Sequence, residues 1–201
     1  MDLTQLRDRV FKKLSLIRNV PRLNADDIDD EINMAQRQYI QPAAKLQAMA
    51  EYTTTAQDEA ALLSDIAPDI YRITQINDIT QNYPAEVPLL KSKDSALIYG
   101  ARLYAGILHL QGIAAGRRLE VAYERRLKDL GEGSLDVTTP EIDEQWHDLY
   151  WMGALALILP EMHYPLFADR LNAFRKERAV ETSWLGSKAK IGGAGNAIFR
   201  Y

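Results

Sequence analysis

Apolar residues recur at steps of three and four from the start of the chain: Leu3, Leu6, Val10, Leu14 and Ile17 share one face. This spacing predicts an amphipathic helix from about residue 3 to 18, ending before Pro21. Asn24 then stands as the cap of a second helix, whose first turns carry Asp26, Asp27, Asp29 and Asp30 against the positive end of the helix dipole. Its inner stripe is Ile28, Ile32, Ala35 and Tyr39. The pattern runs on through AAKLQAMAEY, and Pro42 within it predicts a kink or a restart with helix on both sides.

Between Tyr52 and Pro88 the helical period fades. Ile70, Arg72, Thr74 and Ile76 alternate with Tyr71 and Ile73, which predicts a short strand. From Ser95 to Leu110 the spacing reads as helix again, with Ala96, Tyr99, Leu103, Ile107 and Leu110 on one face. Gly100, Ala101, Ala105 and Gly106 would let a second backbone approach closely. After a joint at Gly112 to Gly116, the positions Leu119, Ala122, Tyr123, Arg126 and Leu130 predict a partner helix closed by Gly131 and Gly133, the two pairing as a helical hairpin.

Thr138, Pro140 and Glu141 have the spacing of a capping box with proline in the first turn, so the next helix is expected to start there and to run to about Leu159, where Pro160 stops it. Its apolar run, Leu149 to Leu159, is shorter than the roughly 20 residues a bilayer span needs and reads as a buried core helix. Pro165 opens a last helix with Phe167, Leu171, Phe174 and Arg178 on one stripe, fading near Thr182. The expectation is a mainly α fold: a helical bundle of about six helices, a short irregular or β segment near residues 52–88, and an extended C-terminal arm. The body would comprise residues 1–181 and the arm residues 182–201.

Composition narrows the function more than the fold. The chain has 201 residues, enough for one domain with an appendage, and its formal net charge of -4 disfavours non-specific grip on a polyanion. It has no cysteine, which removes disulfides, thiolate metal sites and cysteine nucleophiles and fits assembly in a reducing compartment. The first residues, MDLTQLRDRVFKKL, mix charges with leucines and do not read as a secretory signal.

The three histidines, His109, His147 and His163, stand far apart and in no metal-binding spacing. The run DDIDDE spreads around its helix and lacks an EF-hand's glycine and final glutamate, so Asp26, Asp29 and Asp30 read as a solvated helix start rather than a cation site. GSKAKIGGAGN follows a helix and matches no phosphate-cradling spacing. No catalytic, cofactor-binding or metal-binding constellation is expected. Trp146, Tyr150 and Trp151 on one helix read as core or interface; an alternative makes them the aromatic pocket of a small helical ligand-binding or regulatory protein.

The terminal stretch WLGSKAKIGGAGNAIFRY lacks acidic side chains and carries Lys188, Lys190 and Arg200 among four glycines. Trp184, Ile191, Ile198, Phe199 and Tyr201 are bulky anchors with no use in a merely solubilising tail. Together these eight residues are the expected docking groups of an arm that binds another subunit's groove or sheet edge.

The order of features resembles the head-tail connector, or adaptor, proteins of tailed double-stranded DNA bacteriophages. The resemblance is carried by LTQLRDRVFKKL, the acidic-start helix DDIDDEINMAQRQY, the TTTA segment leading to PDIYRITQI, and the pair ALIYGARLYAGILHL and RRLEVAYERRLKDL. It covers about the first 130 residues. It implies a non-catalytic virion protein of the neck, assembled in the host cytoplasm, that binds beneath the portal protein as a homo-oligomeric ring of twelve copies. Such a ring extends the channel for double-stranded DNA without sequence-specific binding, presents a platform to a stopper or tail protein, and touches no membrane. An acidic lumen suits that task, because a basic one would stall the passing polyanion.

Overall fold

The computed structural model describes residues 1–17, 22–81, 83–90, 99–131 and 136–195, with the backbone alone for 181–195. In chain order the elements are α1 (Leu3–Leu14), α2 (Ala25–Ala35), a π-helical segment (Gln36–Ile40), α3 (Gln41–Ala44), β1 (Gln47–Thr53), β2 (Ala60–Leu62), α4 (Leu63–Ile66), β3 (Ile70–Asp78) and β4 (Ala85–Glu86). There follow β5 (Gly100–Tyr104), β6 (Ile107–Gln111), β7 (Arg118–Arg125), a 3-10 turn (Glu144–Trp146), α5 (Asp148–Ile158) and α6 (Pro160–Gly195). The chain divides into two compact units, one made of Met1–Lys45 with Leu127–Tyr201 and the other of Leu46–Arg126.

The first unit is helical, and α1 and α2 form where the spacing places them. Asp2 and Asn24 each cap a helix with a reciprocal capping box, to Gln5 and Asp27 respectively, satisfying backbone N–H groups that the first turn leaves without partners. Leu3, Leu6, Val10 and Leu14 of α1 and Ile28, Ile32 and Ala35 of α2 are buried. Pro42 lies at the start of α3, directly after the π segment. The wider turn absorbs the register that the missing proline N–H would otherwise break.

Three amides on this helical ribbon behave as a surrogate strand. Asn33 donates to the Leu130 carbonyl at 2.9 Å and accepts from its N–H at 2.8 Å, Gln36 donates to the Lys128 carbonyl at 3.0 Å, and Gln41 accepts from the Leu127 N–H at 2.5 Å. An irregular segment is thereby packed against helices with its polar backbone satisfied.

α5 is the centre of this unit, with Leu149, Tyr150, Met152, Gly153, Ala154, Leu155 and Ala156 all buried against α1, α2 and α6. Gly153 permits the closest approach: a Cβ there would stand 2.8 Å from the Ala35 Cβ and 3.3 Å from the Phe167 ring. The expected capping box at Thr138 and Glu141 does not form. Helix begins instead at the 3-10 turn, and the Thr138 carbonyl accepts from the Leu3 N–H at 2.8 Å.

Phe167, Leu171 and Phe174 face inward from α6 as their spacing predicts. However, the helix starts at Pro160 rather than Pro165, and its backbone continues to Gly195 instead of fading near Thr182. A helix already nucleated adds a hydrogen bond with each further residue, set against a penalty of about 1 kcal/mol per glycine. The expected extended arm is therefore helical over 182–195.

The second unit overturns the mainly α expectation. Among the described residues seven strands form two antiparallel sheets, a four-stranded one in the order β1-β7-β3-β4 and a three-stranded one in the order β2-β6-β5. Lys45, at a left-handed φ of 48°, ends the α3 helix, and Gln47–Thr53 pair with β7 rather than continuing as helix. The segment expected as the first half of a helical hairpin is a strand hairpin over residues 100–111; residues 95–98 of that segment lie outside the described residues. Its turn is Ala105–Gly106, both at positive φ, 50° and 79°, the type I′ geometry that matches strand twist.

The expected second half is β7, in which Leu119, Val121 and Tyr123 are buried and alternate with Glu120 and Ala122. The correct period was two. The strand expected around Ile70–Ile76 is present as β3, but Ile70, Ile73 and Ile76 reach the core at steps of three. Register shifts at Ile70/Arg72 and Ile73/Gln75 each insert an extra residue opposite β7, so bulges convert the pleat's period. The core of this unit joins Ile70, Ile73, Ile76, Leu119, Val121 and Tyr123 to Ala101, Leu108 and Leu110.

Candidate functional site

Of the eight expected docking residues, Trp184, Lys188, Lys190 and Ile191 lie on the distal backbone of α6, while Ile198, Phe199, Arg200 and Tyr201 lie outside the described residues. α6 thus carries the backbone of four of these eight residues. Its proximal half is anchored: Arg170 donates to Asp148 at 2.8 Å and to the Gln145 carbonyl at 2.6 Å, and Arg178 donates to the Ala44 carbonyl at 2.9 Å.

The aromatic pocket reading loses two of its three residues to the core. Trp146 packs against Phe174 with ring centroids 5.3 Å apart, lies under the Arg170 guanidinium at 4.1 Å, and donates its indole N–H to Glu177 at 3.1 Å. Tyr150 is fully buried, and burial, reinforced by the charge of Glu141, pushes its phenol well above the usual range. Its hydroxyl finds no hydrogen-bond partner among the described residues.

Trp151 differs. With Arg9, Lys12 and Lys13 of α1 it lines a cleft of about 470 Å³ on the helical unit. Arg9, Lys12 and Lys13 are exposed and, among the described residues, form no ion pair. The Trp151 indole N–H is shielded from solvent and has no acceptor among the described residues. Sequence reading passed over this cluster, although its signal was present: cations at i, i+3 and i+4 on a flank of α1 outside the apolar stripe.

The acidic residues near the start of α2 divide by role. Asp29 binds Arg7 in a two-pronged ion pair, with one contact at 2.8 Å, and Asp27 accepts from the Asn24 N–H at 2.8 Å. Asp26 and Asp30 remain exposed. Partial burial and, to a lesser degree, the neighbouring Asp30 charge raise the Glu31 carboxyl above its ordinary value.

Of the histidines, His147 is buried with a ring nitrogen 2.8 Å from the Ile142 carbonyl, His109 lies on β6 opposite Ala60 and Arg102, and His163 lies on α6. Among the described residues no three His, Cys, Asp or Glu side chains are grouped as a metal site, and no helix is long and apolar enough to cross a membrane.

In the strand unit the polar contacts are structural. Glu59 accepts from the Thr55 N–H at 2.8 Å, the Thr55 hydroxyl at 2.6 Å and the Tyr52 hydroxyl at 2.9 Å. Burial opposes its ionisation, but these donors together with the Ala56 N–H hold it below its ordinary value. Burial and the bond to Glu59 push the Tyr52 phenol up to about 12. The exposed apolar groups of this unit include Leu103 and Tyr104 at the hairpin end and Met49 on β1. They suit protein contact rather than chemistry.

The family model for the SU10 adaptor protein matches residues 1–188. The chain belongs to the SU10 adaptor protein family. Membership makes it a structural adaptor of a bacteriophage, in agreement with the resemblance read from the sequence. No curated protein matches the chain.

Proposed function

We propose that this adaptor is one subunit of a head-tail connector ring in the virion neck, assembled in the host cytoplasm. The subunit docks on the portal protein through residues 182–201, extends the DNA channel, and offers the next stopper or tail protein its attachment platform. The observation that carries this reading is the family match, which extends over residues 1–188 and so includes α1, both sheets and most of α6. The helical backbone over 182–195 adds a docking mode: a helix laid in a groove, with Trp184 and Ile191 as anchors, rather than a strand added to a sheet.

A net charge of -4 suits a channel that duplex DNA must traverse without being gripped. A ring of twelve copies would place that charge around the lumen. Deleting residues 183–201 is expected to abolish co-sedimentation with portal particles while near-ultraviolet circular dichroism, reporting the buried Trp146, is retained. Undiminished portal binding by the truncated chain would overturn the docking role of the arm.

A further inference from the structure

The cleft formed by Arg9, Lys12, Lys13 and Trp151 has no role in the docking arm, and its electrostatics call for a partner. On a chain that is acidic overall, three cations converge beside an indole, no carboxylate lines the cleft among the described residues, and none of the three is spent on an ion pair. Concentrated like charge on a folded surface is destabilising to itself and is relieved by an incoming anion.

The same unit displays the complement. Asp26 and Asp30, four residues apart on α2, stand on one exposed face opposite the buried Ile28 and Ile32, near the positive end of the helix dipole. Among the described residues no ion pair joins the two charge clusters within one subunit. At about 100° per residue, Arg9 and Arg7 stand roughly 160° apart around α1, on either side of its buried stripe. Arg7 reaches α2 through Asp29, whereas Arg9, Lys12 and Lys13 face the cleft bearing Trp151 on α5. The basic cluster thus lies on a flank of α1 away from the one that binds α2.

We infer that the Arg9, Lys12, Lys13 and Trp151 cleft receives the α2 start of a second copy, with Asp26 and Asp30 as the groups recognised. The inference rests on the proposed reading of the chain as a ring subunit and names the surfaces that join its neighbours. Because different patches meet, the contact is head-to-tail, the kind that closes into a ring or continues as a filament. A carboxylate pair on an exposed helix start suits a cationic cleft, and the salt dependence of such contacts follows from their exposed charges.

The full-length chain tests this through charge reversal. Lys12→Glu with Lys13→Glu makes both faces acidic, and Asp26→Lys with Asp30→Lys makes both basic. Each double variant alone is expected to self-associate at least about tenfold more weakly than the parent in low-salt sedimentation. An equimolar mixture of the two is expected to regain association, because each reversed face then finds its complement. The Trp151 indole proton in a nuclear magnetic resonance spectrum of the parent should shift with protein concentration, and should not shift in the Lys12→Glu, Lys13→Glu variant.

Unchanged association of either double variant, no recovery in the mixture, or a parent chain that stays monomeric at low salt would overturn the inference. So would a cleft that binds a short DNA duplex in place of the second copy, seen as loss of duplex binding in the reversed variant with self-association intact. Circular dichroism of each variant separates misfolding from lost contact, and the mixture rescues only folded chains. Capture of truncated and parent chains on portal particles reports on the docking arm separately, so a failure of one reading leaves the other measurable.

Discussion

α2 and the hairpin of β5 and β6 both carry apolar residues at steps of three and four, yet one is a helix and the other folds back on itself. The difference lies at their punctuation. α2 follows Asn24, whose side chain accepts from the Asp27 N–H at 2.9 Å while Asp27 returns the bond, so helix is favoured from its first turn. The segment from Gly100 to Gln111 contains Ala105 and Gly106 at positive φ, and a left-handed pair in mid-segment ends any helix. Leu103 is then 45% exposed, whereas Leu108, which the helical spacing passes over, is fully buried. Equal hydrophobicity thus settled little, and the turn residues decided the period.

The helical unit should break most sharply at its aromatic core. Phe167→Ala removes a fully buried ring beside Tyr39 and is expected to cost about 3–5 kcal/mol in urea denaturation. Next is Gly153→Ala, whose Cβ must displace either Ala35 or the Phe167 ring; overpacking of this kind costs about 1–3 kcal/mol and should appear as a lowered Tm. Asn24→Ala deletes the cap alone and is expected to cost about 1 kcal/mol, measured in the same denaturation series.

A smaller change tests the contrast by its sign. Ala105→Gly relieves a left-handed alanine in the hairpin and should raise stability by less than about 1 kcal/mol, whereas in a helix the same substitution would lower it by a similar amount. A fall in Tm would therefore contradict the hairpin.

The last test concerns pH. Glu59 is held below its ordinary value, so the stability it contributes is fully present above the unfolded carboxylate range and is lost as pH falls through its folded value. Glu59→Gln should flatten that acid-side decline in a pH series of denaturation midpoints. An unaltered slope would remove Glu59 from the account of the strand unit.

The helical unit was legible because its signals are local. The Asn24 cap, the stripe of Leu3, Leu6, Val10 and Leu14, and the all-apolar LYWMGALALIL are each set by neighbours within a few residues. The strand unit was obscure because its determinants are not. Leu119, Val121 and Tyr123 alternate cleanly, but Ala122, Tyr123, Arg126 and Leu130 also fit a helix, and only pairing with β1 and β3 selects between the readings. In β3 the bulges opposite β7 shift the inward positions to every third residue, a pattern with no counterpart in the strand alone.

The same division holds for the site. The proposed anchors of the terminal segment rest on residue type alone, whereas the cleft of Arg9, Lys12, Lys13 and Trp151 exists only because α1 and α5 pack together. By itself the sequence determined the starts of α1 and α2, the apolar faces of α1, α2, α5 and α6, and the adaptor family. Tertiary structure alone decided the two sheets, the start and length of α6, and the gathering of cations about an indole. Caps and helical stripes act over one or two turns, while strand pairing and cross-helix clusters draw on residues that only the folded chain brings together.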